Sequence, residues 1–152
     1  MNNMEKSAAV LNDLVRINND RIAGYQKAIE NLQDEDADLK TAFTEFIKGS
    51  HQNKMELVGE VSANGNEVND DTTLAGDIYH GWQDLKAMFT GHDRKSILEN
   101  CEFGEDAAQK AYQKALENEN LSANSRSIVR EQKNNLKIMH DRVKVMRDNA
   151  RF

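Results

Sequence analysis

Apolar residues recur at spacings of three and four along most of this chain, which marks helices that each bury one face. Leu11, Leu14, Val15, Ile22, Tyr25, Ile29 and Leu32 predict a first helix over about Met4–Gln33, its stripe centred near Asn18. Asp34-Glu35-Asp36-Ala37-Asp38 reads as a tight acidic turn, with Asp36 placed to cap the next helix. Leu39, Phe43, Phe46, Ile47, Leu57, Val58 and Val61 predict a second helix over about Ala37–Ala63. Asn64-Gly65-Asn66 ends it, because Gly and Asn tolerate the left-handed conformation, and 65–72 form a loop.

A shorter third helix is predicted over about Thr73–Thr90 from Leu74, Ile78, Trp82, Leu85 and Phe89. At ~1.5 Å per residue it is ~27 Å long, enough to cross most of a bundle. Gly91-His92-Asp93 interrupts it, with Asp93 as a cap. Leu98, Cys101, Ala108, Tyr112 and Leu116 predict a fourth helix over Arg94–Glu119. Ile128, Val129, Leu136, Met139, Val143 and Met146 predict a fifth over Ala123–Asn149. Short turns make sequential helices antiparallel, and the shorter helix can carry the chain back along the bundle. The expected fold is all-α: a ferritin-like four-helix bundle with a shorter crossover helix between helices two and four, as a single domain over 1–152.

Composition narrows the function classes. The 152 residues contain no proline and are 30% charged, which suits long helices with solvated outer faces. A net charge of −6 argues against general binding to nucleic acid or to an anionic membrane. No apolar run approaches the ~20 residues that span a bilayer. The first residues lack the basic start and apolar run of a signal peptide, so a soluble, cytoplasmic protein is expected. Cys101 is alone, so it has no disulfide partner within the chain. Asn120-Leu121-Ser122 has the form of a glycosylation sequon but carries no weight without a secretory signal.

The apolar stripes are interrupted near mid-helix by Asn18, by Ser50 and Lys54, by Glu105, and by Gln132 and Asn135. Positions equally far from a turn face each other in an antiparallel hairpin. That rule sets Asn18 opposite Gln52 and Glu105 opposite Asn135, so the interruptions fall in one polar layer. Di-iron bundles place a Glu from each of two helices and a Glu-x-x-His pair from each of the other two at this level. The corresponding positions here read Asn18, Ser50-x-x-Asn53, Glu105 and Gln132-x-x-Asn135. One carboxylate among amides and hydroxyls would hold a divalent ion weakly. No metal or other cofactor is therefore expected. The alternative is iron or manganese centred on Glu105.

The plainer reading is a hydrogen-bonded network that fixes helix register, with Lys54 neutralising Glu105. Unpaired, a carboxylate in an apolar stripe would have a raised pKa and would be a candidate proton-transfer group. Cys101, one turn earlier, reads as a small apolar residue. Asp77-x-x-His80 has ligand-like spacing, but His80 falls off its stripe. His51 and His140 sit at stripe edges at different depths, and His92 lies in a break. Trp82 and Tyr79 are expected to seal the third helix against the bundle or a subunit interface. The basic cluster Arg142, Lys144, Arg147 and Arg151 is partly explained by the helix dipole, which favours cations at that end.

Leu11-Asn12-Asp13-Leu14, Ile17-Asn18-Asn19-Asp20 and Gly24-Tyr25, with Trp82-Gln83-Asp84-Leu85-Lys86 and Gly104-Glu105-Asp106 followed by Tyr112, resemble a bacterial family of four-helix-bundle proteins of unknown function, grouped with the ferritin-like proteins. The resemblance spans nearly the whole chain. It implies a ferritin-like fold and no established activity. Tyr25, seven residues after Asn18, also resembles the first-helix pattern of ferritins, which carries Glu where Asn18 stands. The expected role is non-enzymatic: structural, stress-related or interaction. A divergent metal-binding or oxidase protein is the alternative, and a small-ligand binder using the polar layer is a third reading. A homo-oligomer is expected, with no nucleic-acid or membrane partner. The sequence does not identify a protein partner.

Overall fold

The computed structural model describes residues 3–63, 65 and 93–150. The predicted third helix, with Asp77, Tyr79, His80 and Trp82, lies outside the described residues, as do His92 and Arg151. The described residues form four long helices: α1 (Asn3–Asn31), α2 (Ala37–Ala63), α3 (Arg94–Leu116) and α4 (Ala123–Asp148), with a 3-10 turn at Asp34–Asp36. Among the described residues there is no strand, and no helix is long and apolar enough to cross a membrane.

The helix ends follow the local chemistry. Asp93 accepts the amide of Ser96 at 3.0 Å and starts α3. Ser122 does the same for α4 through the amide of Ser125, at 3.1 Å. Gly65, at φ 75°, closes α2, and its amide returns to the carbonyl of Ser62 at 2.9 Å. A side chain would be strained in that left-handed conformation.

Named contacts fix the helix directions. Tyr25 stacks with Phe46 while Asn18 meets Asn53, so α1 and α2 are antiparallel. Arg21 meets Glu105 and Asn18 meets Tyr112, which makes α1 and α3 antiparallel. Gln132 meets Glu56 and Ser125 meets Glu60, while Arg142 reaches Glu45, so α4 runs antiparallel to α2. Consequently α2 and α3 run in the same direction at diagonal corners. Arg94, at the start of α3, binds Asp38 in the first turn of α2 at 2.7 Å and Asp36 at 3.2 Å. Both helices therefore begin at the same end of the bundle.

The core divides into two apolar halves. One gathers Leu11, Leu14, Val15, Leu57, Val61, Val129 and Leu136 with their neighbours. The other gathers Tyr25, Leu39, Phe43, Phe46, Leu98, Cys101 and Val143. Met139 packs against both. Between them lies a polar waist.

Candidate functional site

Arg21 occupies the centre of the waist. It falls on the buried face of α1, three residues after Asn18 and four before Tyr25, and is fully buried (0% exposed). Its Nε donates to Glu105 Oε1 at 2.6 Å, and Glu105 is 1% exposed. Its Nη1 donates to Ser50 Oγ on α2 and its Nη2 to Met139 Sδ on α4 at 3.5 Å. The guanidinium carbon lies 5.4 Å from the centre of the Tyr25 ring, a cation–π distance. One side chain thus links all four helices. Burial works most strongly against its charge, yet Glu105, Tyr25 and Tyr112 together outweigh that cost and hold the Arg21 pKa above its ordinary value.

A second network lies one turn away. The Asn18 amide donates to the Leu14 carbonyl and to the Tyr112 hydroxyl, both at 2.9 Å. The Tyr112 hydroxyl donates to Gln132 Oε1 at 2.7 Å. Asn53 donates to Asn18 Oδ1 at 3.3 Å. Gln132 Nε2 donates to the Asn53 carbonyl and to Glu56 Oε1, each at 3.2 Å, and so ties the network to an exposed carboxylate. Buried polar groups that satisfy one another in this way avoid the desolvation cost that each would bear alone.

Of the residues singled out from the sequence, Asn18, Ser50, Glu105 and Gln132 lie buried in the waist. Two expected members differ. Lys54 is half-buried and is not the partner of Glu105: α2 turns Asn53 toward Asn18, and Arg21 supplies the cation. Asn135 is exposed, because Leu136 continues the buried row of Val129 and Gln132 on α4. The α3–α4 hairpin is also offset from the expected depth. The shared partner Arg21 sets Met139, rather than Asn135, at the level of Glu105. Arg21 and the Tyr112 hydroxyl are the members the sequence reading missed. An ionisable residue at a stripe position is the signal that points to Arg21.

The waist does not fit a di-metal centre. A guanidinium, already cationic, lies against Glu105, and the other waist groups among the described residues are neutral: Asn18, Ser50, Asn53 and Gln132. Glu105 Oε2 is buried without a hydrogen-bond partner among the described residues, but a single oxygen is no ligand set. Tyr25 and Cys101 flank the pair. Burial first, and Glu105 next, push both well above their ordinary pKa values. The Cys101 thiol is therefore held protonated and unreactive. In native protein, iodoacetamide should label Cys101 no faster than global unfolding allows. Rapid labelling, with circular dichroism unchanged, would contradict this burial.

Of the histidines the sequence suggested, His51 is exposed. His140 lies between Asp106, at 2.5 Å from Nε2, and Asp141, at 3.1 Å from Nδ1. Burial lowers its pKa, but the hydrogen bonds to Asp141 and Asp106 more than compensate and leave it raised.

Residues 6–118 match the family described as "Domain of unknown function (DUF2383)". No curated protein matches the chain. The matched residues hold Asn18, Arg21, Tyr25, Ser50, Asn53, Glu105 and Tyr112. They stop before α4, which contributes Gln132 and Met139 to the waist.

Proposed function

We propose a role for this chain from two premises: it belongs to the DUF2383 family, and the centre of its bundle is held by its own cation. The reading is a non-enzymatic structural, stress-related or interaction protein of ferritin-like architecture. It has no resident metal at the level where such bundles carry one. The observation that carries it is the buried Arg21–Glu105 pair at 2.6 Å. An internal guanidinium takes the place of divalent charge, and amides and hydroxyls take the place of ligands. The common direction of α2 and α3, both starting beside Arg94, supports a crossover connection of the ferritin-like kind. A single domain over the whole chain, a cytoplasmic location, self-association and a bacterial source belong to the same reading.

The competing reading is an oxidase that binds iron or manganese at Glu105. Aerobic Fe(II) oxidation separates the two, using His140→Ala protein so that surface histidine chemistry is removed. Oxidation at the rate of a protein-free control is expected. Saturable oxidation that disappears on Glu105→Gln would overturn the structural reading.

A further inference from the structure

Among the described residues outside the waist, one cluster places nitrogen and oxygen ligands from two helices around a common point. Glu102 and Asp106 are one turn apart on α3 and share a face. His140 faces them from α4. One ligand atom from each of the three lies within 4.8 Å of the others. Glu102 and His140 are half-buried and Asp106 is exposed, so the cluster is open on one side.

We propose that Glu102, Asp106 and His140 form a half-open site for a borderline divalent cation of the zinc(II) or cobalt(II) class, completed by water. One imidazole nitrogen and two carboxylates suit such an ion better than calcium or magnesium, which take oxygen ligands. Asp141 supplies the support such a site needs. It accepts from His140 Nδ1 at 3.1 Å, which directs Nε2 toward Asp106.

Without metal, both ring nitrogens face carboxylate oxygens. A metal takes the Nε2 lone pair, so any proton on that nitrogen leaves to solvent as the ion binds. The flanking charges do not lose their partners in this exchange. Arg147, which contacts Glu102 Oε2, also binds Asp148 at 2.6 Å. Asp141 is also held by Lys137 at 3.1 Å.

Cobalt(II) titration of the full chain, read by its visible d–d absorption, tests the site. A saturable one-to-one spectrum is expected, lost in His140→Ala and weakened about tenfold in Asp141→Asn. Thermal unfolding confirms that each of these surface variants folds. No spectrum at millimolar cobalt, or a spectrum that survives in His140→Ala, overturns the proposal. A spectrum that survives in His140→Ala but vanishes in Glu105→Gln assigns the metal to the waist, and overturns the proposed function as well.

Discussion

Glu105→Gln should lower the free energy of unfolding by about 3–5 kcal/mol, the usual cost of removing one partner of a buried ion pair. The substitution keeps shape and one acceptor, but leaves the Arg21 charge at 0% exposure with no counter-ion among the described residues. For a chain of 152 residues the melting temperature should fall by on the order of 10 °C. Replacing both partners, Arg21→Met with Glu105→Leu, should recover most of that loss or exceed the starting stability, since two desolvated charges are then exchanged for apolar contact. Ser50 loses its arginine partner in the double variant, but can turn its hydroxyl to its own helix. Calorimetry of the three proteins decides the matter. A single substitution that costs under about 1 kcal/mol would mean that water reaches the pair. A double variant as unstable as the single one would mean that the pair specifies the fold rather than burdening it.

Tyr112 should show the next largest effect, and its two substitutions separate packing from hydrogen bonding. Tyr112→Phe keeps the ring but strands one N–H of Asn18 and the Oε1 of Gln132, at a cost of about 1–3 kcal/mol. Tyr112→Ala also removes a fully buried ring between α1 and α4, and should cost about 3–5 kcal/mol. Urea titration should show both as shifts in midpoint at unchanged slope. A Tyr112→Phe protein as stable as the parent would show that the hydroxyl network contributes nothing net.

The helices were legible in the sequence because a period of 3.6 is a strong signal over 23 to 29 residues. The starts of α2, α3 and α4 coincide with the expected ones, and the caps at Asp93 and Gly65 hold. The existence of a polar level was legible too, since Asn18, Ser50, Glu105 and Gln132 interrupt otherwise apolar rows. Its membership was less so. Asn53 and Lys54 stand three and four residues after Ser50, and either spacing fits one face. Only the approach of α1 selects Asn53. Asn135 and Leu136 pose the same choice after Gln132, and packing selects Leu136.

Arg21 was hidden for a different reason. Arginine on an amphipathic helix usually extends its stem over apolar surface and keeps its charge in water, so spacing alone does not bury it. What buries it is a contact 84 residues away in the chain, with Glu105. No local pattern contains that fact. Family membership adds no chemistry either, as its description names no activity.

The sequence separations within the waist have a consequence for assembly of the chain. Arg21 meets Ser50 across 29 residues but Glu105 across 84, and Asn18 meets Tyr112 across 94. Closing the 84-residue loop costs only about 1 kcal/mol more than closing the 29-residue one, because the entropy grows with the logarithm of length. The two hairpins can each form from near neighbours, while the waist is where distant halves of the chain must recognise each other. Its central charges are matched only between hairpins: the carboxylate that Arg21 meets comes from α3, and the cation that Glu105 meets comes from α1. The waist is thus the level at which charge on one hairpin is matched by charge on the other, and the length of chain between them adds little to the cost of bringing the two together.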